Sequence, residues 1–374
     1  MSKKIGLAVI YDPHNVYQFL WYYCTYGKDI EWYALCLPNS NKGEYLSVTC
    51  EKLGIFNKVY RDTKPFDAMP LMDRLFLFIK MFFYAVFGQQ KRFCKKLIAS
   101  YIDKLNFDTA VVLTDVGFIS GLFLTLGKEK QVVILEDGMG DYMERKYSNI
   151  FSHFHNFFDV QGFFLSLLGY SNIGHCFPLR TTKYCEKYCS HPDKMKYKNY
   201  KELKTLFETE NTDNELFRKL LNIIYPNLSS IFNQKYDAIL FTTPLTDYVH
   251  NDGKYVNKIV TYINNNFNSV LLKKHPRDSV NYHFNENIQS VEIDQTIPAE
   301  VLLPYLDGIK LFFCEHSSTN LYLLSFHYSP QYFYFTDLKN DNLKEKNILC
   351  QYKDENSFRE GLAFFELPLN IIKL

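Results

Sequence analysis

The sequence carries no surplus of charge of either sign: 42 Lys and Arg stand against 41 Asp and Glu over 374 residues, a formal net charge of +1. Proteins that grip a nucleic-acid backbone broadly carry a positive excess, so that class is excluded and only local basic patches stay open. A bilayer-spanning run is also missing. The longest apolar stretch, PLMDRLFLFIKMFFYAVFG at 70 to 88, is broken by Asp73, Arg74 and Lys80, and its clean part falls short of the ~20 residues a transmembrane helix needs. It reads as a buried or half-buried helix. The sharper alternative is an interfacial helix with Lys80, Lys91, Arg92, Lys95 and Lys96 facing anionic lipid.

There is no disulfide framework, since the nine cysteines are odd in number and scattered, which fits a reducing cytoplasm. Cys185 and Cys189, near His175, Cys176 and His191, could be drawn as a zinc site, but CEKYC has no second ligand pair at the usual spacing. The apolar stretch of MSKKIGLAVIYDPHN is too short for a secretory signal and reads as a first strand, so export is not expected. Repeats and long low-complexity segments are absent. So is an Asp-x-Asp in strand context, which would hold a divalent ion against a diphosphate.

What the chain does have is an aromatic surplus, 33 Phe and 29 Tyr, on an ordinary globular background of 47% hydrophobic and 22% charged residues. Its length exceeds one hydrophobic core and predicts two domains. Apolar runs at 4 to 10, 31 to 36, 55 to 60, 108 to 113 and 131 to 135 alternate with helix-length segments, the pattern of a parallel sheet with helical crossovers. From 142 to 234 the composition is aromatic and polar, and it reads as helices joining two sheets. The Lys-rich run at 183 to 204 is read as a solvated helix face, with a track for an anionic polysaccharide as the alternative. A second series follows: strands at 236 to 243, 269 to 274, 309 to 314 and 331 to 335, with helices near 252 to 265, from 298 and from 317. The expected fold is therefore α/β, with two Rossmann-like domains, 1–234 and 235–374, facing an interdomain cleft; one enlarged doubly wound sheet is the alternative.

Three polar signatures end apolar strands. Carboxyl ends of parallel strands are where open α/β sheets bind ligands. Glu136-Asp137-Gly138 follows QVVIL; Gly138 lets the chain turn sharply, and two adjacent acids on extended backbone point to opposite sides, so one can serve as a base while the other accepts N–H groups. The plainer reading is a turn with Asp137 as a helix cap. His275-Pro276 follows SVLLKK, where Lys273 and Lys274 surround the imidazole with positive charge that suits a phosphate; an ordinary His-Pro turn, as in His191-Pro192, is the alternative. Ser317-Ser318-Thr319 opens a helix-like run and reads as an anion seat or as plain caps. Glu300, in TIPAEVLLPYL, could accept both hydroxyls of a ribose or could be a solvated first-turn acid. Thr242 and Thr243 complete the ring of contacts.

Taken in order, the acidic motif, the His-Pro pair, the IPAE element and the Ser-Ser-Thr run resemble the motif set of bacterial sialyltransferases of GT-B fold, of the lipooligosaccharide or capsular polysialyltransferase type. The resemblance implies an inverting, metal-independent transfer from CMP-sialic acid to a glycan hydroxyl, with no cofactor. It implies Glu136 as general base with Asp137 supporting, His275 stabilising the leaving CMP phosphate, Ser317 and Ser318 holding that phosphate, and Glu300 binding the ribose. Gly138, Thr242, Thr243, Lys274, Pro276 and Thr319 are the further donor contacts expected. Relatives often have Asp at the base position, so Glu136 is one methylene longer. The partners expected are a CMP-activated donor and a glycan acceptor, with no nucleic acid, in a cytoplasmic protein for which a peripheral contact with the inner membrane is left open. Alternatives are a transferase using CMP-Kdo or another CMP-nonulosonic acid, a nucleotide-sugar epimerase, and a noncatalytic glycan- or membrane-binding protein whose aromatic surplus forms the binding surface.

Overall fold

The structure is a computed structural model and describes residues 3–37, 43–62, 69–113, 117–136, 142, 157–171, 182–195, 199–207, 211–248, 252–314, 319, 323, 328–334, 355–364, 366–368 and 370–374. The chain divides into two compact units, Met1–Ile224 and Tyr225–Leu374. Each is built on one wholly parallel sheet.

In the first unit the strands are β1 (Ile5–Ile10), β2 (Glu31–Cys36), β3 (Phe56–Arg61), β4 (Thr109–Val112), β5 (Gln131–Leu135), β6 (Glu186–Cys189) and β7 (Glu202–Thr205). Their order is β3-β2-β1-β4-β5-β6-β7. β1, β4 and β5 are buried almost throughout, which is why they appear in the sequence as unbroken apolar runs. Helix α1 (Pro13–Tyr22) starts where Asp12 accepts from the Asn15 N–H and Asn15 reaches back to the Asp12 N–H, with Pro13 in the first turn, a reciprocal cap that fixes the exit of β1. Part of the aromatic surplus is buried in the core: Trp21 and Tyr17 of α1 pack on Phe217 at centroid distances of 4.6 and 5.6 Å. Phe19 meets Trp32 edge-on at 5.0 Å, geometry that adds to plain burial. Trp32 lies opposite Gly6 in the β1–β2 register, donates its indole N–H to the Gly27 carbonyl at 2.8 Å, and occupies the space a side chain at position 6 would need.

β6 and β7 correct the expectation that 142 to 234 is helical. EKYC does not look like a buried strand, yet Glu186 is buried and salt-bridged to Lys201 and Lys204 at 3.3 and 3.4 Å, and Lys187 is fully buried with its ammonium donating to the Leu135 carbonyl. Pairing of this kind makes buried charge tolerable. Among the described residues the Lys-rich run is accordingly β6, a 3-10 helix at Pro192–Lys194 and the start of β7, which pairs parallel to β6, rather than one helix face; Lys196 and Lys198 fall outside the described residues.

α2 (Gly43–Leu53) lies between β2 and β3, α3 (Leu71–Val86) and α4 (Gln90–Tyr101) between β3 and β4, and α5 (Phe118–Thr125) between β4 and β5. α3 is the half-buried helix among the readings of the sequence: Met81 is buried, and Leu77, Phe78, Tyr84 and Ala85 pack against the core, while a broad face opposite them is exposed. Gly88, at φ +65, ends the apolar helix, a conformation that favours glycine.

The second unit has strands β8 (Ala238–Phe241), β9 (Ser269–Lys273), β10 (Gln289–Ile293), β11 (Lys310–Phe313), β12 (Gln331–Tyr334) and β13 (Asn370–Lys373) in the order β10-β9-β8-β11-β12-β13. β10 and β13, unforeseen in the sequence, are the exposed or half-exposed edges. The helix near 252 to 265 is observed at Asp252–Asn266. The segment from 298 forms a 3-10 helix, Ala299–Tyr305, with Pro304 inside it. Phe241 and Phe313, paired in register, stack at 4.7 Å, and Phe312 stacks on Phe333 at 5.5 Å. Each sheet thus runs outward from its first strand through three strands, then returns to that strand's other side. Such a reversal creates the crevice where doubly wound sheets take ligands. It falls between β1 and β4 in one unit and between β8 and β11 in the other.

Candidate functional site

The carboxyl ends of β8 and β9, beside the second reversal point, bring together several residues singled out above. The backbone turns at His275, whose N–H donates to Thr242 Oγ1 at 3.1 Å. The Arg277 N–H donates to His275 Nδ1 at 3.1 Å. That nitrogen is therefore an acceptor, so the proton of the neutral ring resides on Nε2. His275 is half-buried, Pro276 exposed, and Thr242 and Thr243 half-buried.

Asp278, which the motif reading passed over, fixes this turn. It is 2% exposed and accepts from the Thr242 hydroxyl, from Tyr282 OH at 3.1 Å and from the Val280 N–H at 3.1 Å. Its own N–H caps the His275 carbonyl at 2.8 Å. The only sequence signal was an acid three positions past the histidine in HPRD. Burial first, then Cys314 and the Asp278 charge, push the Tyr282 hydroxyl far above its ordinary range, so it acts as a permanent donor.

Lys273 and Lys274 are both buried. The Lys273 ammonium donates to the carbonyls of Lys274 at 2.9 Å and Gln295 at 3.3 Å. Burial pushes its pKa down to about 8, opposed by the negative charges of Glu300, Asp294 and Glu292. Lys274 faces Glu292 at 3.9 Å. Glu300 is itself buried and accepts from Thr319 Oγ1 at 3.2 Å. Thr319, the described member of the hydroxyl run, is therefore in contact with the acid expected to bind the ribose. Ser317 and Ser318 lie outside the described residues.

In the first unit Glu136 sits immediately beyond β5. Its carboxylate is fully buried and occupied on both oxygens: Tyr142 OH donates to Oε2 at 2.6 Å, the Ser190 N–H to Oε2 at 2.8 Å and the Ser190 hydroxyl to Oε1 at 2.6 Å. Its carbonyl accepts from Gln18 at 2.8 Å. The His191 N–H in turn donates to Tyr142 OH at 3.1 Å, and burial followed by the Glu136 charge drives that hydroxyl far above its usual range. This is the geometry of a strut tying the end of β5 to the end of β6 rather than of an open proton acceptor. Asp137 and Gly138 lie outside the described residues. The strut was illegible in the sequence because β6, which delivers Ser190, was not foreseen.

Among the described residues no group of three His, Cys, Asp or Glu is placed to hold a metal ion; Cys185 and Cys189 are buried free thiols. No helix among them is long and apolar enough to cross a membrane.

No protein-family model matches the chain, and no curated protein matches it. Among solved structures it is similar to the UDP-GlcNAc 2-epimerase of Neisseria meningitidis bound to UDP-GlcNAc, with 11% identity, TM-score 0.45, and coverage of 97% of this chain and 94% of that one. It is also similar to Arabidopsis thaliana UGT89C1 complexed with UDP-L-rhamnose, with 8% identity, TM-score 0.46, and coverage of 91% and 81%. The glycotransferase of kitacinnamycin gives 8% identity, TM-score 0.46, and coverage of 99% and 86%. Likeness at this level assigns neither substrate nor reaction. The class rests on the topology itself: two Rossmann-like α/β units of seven and six parallel strands in one chain.

Proposed function

We propose that the protein is an inverting, metal-independent glycosyltransferase of GT-B type that moves sialic acid from CMP-sialic acid to a hydroxyl of a lipooligosaccharide or capsular glycan. The observation that carries this reading is the His275 turn: an imidazole with Nδ1 engaged and its proton on Nε2, set at a strand exit beside two buried lysines. A donor N–H and nearby positive charge offset the charge that develops on a departing phosphate. In the proposed reaction the acceptor oxygen forms a bond to the anomeric carbon as the bond from that carbon to the CMP phosphate oxygen breaks. The bonding pair leaves with CMP. His275 stabilises that phosphate with Lys274, Ser317 and Ser318, while Glu300, Thr242, Thr243 and Thr319 surround the nucleoside.

The hydroxyl proton goes to the acidic motif. Because both Glu136 oxygens are committed to Ser190 and Tyr142, the proposal gives the base role to Asp137 and a positioning role to Glu136, reversing the assignment implied by the resemblance. The test is incubation with CMP-Neu5Ac, CMP-Kdo and a panel of lactose-ended and sialylated acceptors, followed by mass measurement of products. The expected result is acceptor-dependent CMP release with CMP-Neu5Ac, lost in Asp137→Asn without a change in melting temperature. Turnover with CMP-Kdo alone would move the reading to that donor, and no CMP release with any pair would end it.

A further inference from the structure

α3 is apolar on both sides, which is unusual for a helix at a protein surface. A helix that is hydrophobic all round normally has a cover on every face. Its inner face has one, formed by the core around Met81. Its outer face does not: Met72, Phe76, Ile79, Phe83, Val86 and Phe87 recur at helical spacing over four turns and are 40–72% exposed. On the neighbouring helix α6 (Phe157–Leu167), Phe164 and Leu167 are 51% and 59% exposed. Exposed apolar surface of this extent marks an interaction site.

The charge around it decides the partner. Residues 71 to 101 hold six Lys and Arg (Arg74, Lys80, Lys91, Arg92, Lys95, Lys96) against the single acid Asp73, a local excess of +5 in a chain whose total is +1. Glu129, which salt-bridges Lys91 and Lys95 at 3.0 and 2.6 Å, lowers that excess by one. An isologous dimer through this face would set the patch against its own copy and oppose like charges. An anionic lipid surface meets both needs, accepting the aromatic and aliphatic side chains below its headgroups and the basic ones among them.

We infer that α3, together with Phe164 and Leu167 of α6, is a docking surface by which the protein lies on anionic phospholipid bilayers without crossing them. The inference stands apart from the proposed transfer reaction. It is tested with the full chain by co-sedimentation on vesicles of phosphatidylcholine alone and of phosphatidylcholine and phosphatidylglycerol in equal amounts. Binding is expected on the mixed vesicles, roughly tenfold weaker on the neutral ones, and weakened by salt. Phe83→Ser with Phe87→Ser should abolish it at an unchanged melting temperature, and Arg92→Glu with Lys96→Glu should remove the preference for the anionic vesicles. Failure to bind either vesicle, or equal binding to both, overturns the inference. So does a concentration-dependent dimer that the double Ser variant disperses in the absence of lipid, since the occupant would then be a second copy.

Discussion

Replacing Glu136 by glutamine separates a structural carboxylate from a catalytic one. The side chain is fully buried and takes three hydrogen bonds, from Tyr142 OH, the Ser190 N–H and the Ser190 hydroxyl. Bonds to a charged acceptor contribute about 1 kcal/mol more each than bonds to a neutral one, and the amide is cheaper to bury, so the net loss is roughly 2 kcal/mol. For a domain of this size that corresponds to about 4–8 °C in melting temperature, at roughly 2–4 °C per kcal/mol. Glu136→Ala should be worse, about 3–5 kcal/mol, because three buried donors lose their acceptor. The assay is thermal melting beside CMP release, completed by a double-mutant cycle of Glu136→Gln with Ser190→Ala, whose coupling should be about 1 kcal/mol. A Glu136→Gln protein that melts with the wild type yet transfers no sugar would refute the reasoning, since only an open base behaves that way.

Asp278→Ala should destabilise the second unit by about 3 kcal/mol, because Thr242, Tyr282 and Val280 all donate to that carboxylate; denaturant titration measures it. His275→Ala should weaken CMP binding by roughly tenfold in calorimetry, the scale of one hydrogen bond to a charged group, and an unchanged dissociation constant would place the ring outside the binding site. Lys273, with its pKa pushed down to about 8, gives a pH signature. Below that value the folded and unfolded states are both protonated, and from there to the unfolded value near 10.5 the unfolded chain holds more protons. Stability should therefore rise across that window, by about 3 kcal/mol in full. Denaturation of Lys273→Met should show that slope gone, whatever the variant's absolute stability; a slope identical to wild type would remove Lys273 as its source.

The strands legible in the sequence are β1, β2, β3, β4, β5, β8, β9, β11 and β12; all but β3 are largely buried, and burial on both faces demands continuous apolar residues. β7, β10 and β13 are edge strands of half-exposed or exposed residues whose polar composition hid them; β3 is an edge strand too, but its IFNKVY run holds enough apolar residues to be read. β6 escaped for another reason: its Glu186 and Lys187 are buried by virtue of partners far along the chain. The same limit governs the site. His275 and Thr242 were readable as strand ends, whereas the attachments of Glu136 to Ser190 and of Thr242 to Asp278 exist only once the strands are laid side by side. The half-burial of α3 is within reach of the sequence, but apolarity alone does not say which face the chain leaves uncovered.

The glycine at position 6 and the indole across from it behave as one unit. Any β-carbon there would come within 2.5 Å of the Trp32 ring, and the ring is anchored to Gly27 and cannot slide aside cheaply. Among randomly varied sequences selected for folding, survivors altered at position 6 should carry a smaller residue at 32, so the two sites will drift jointly or stay frozen.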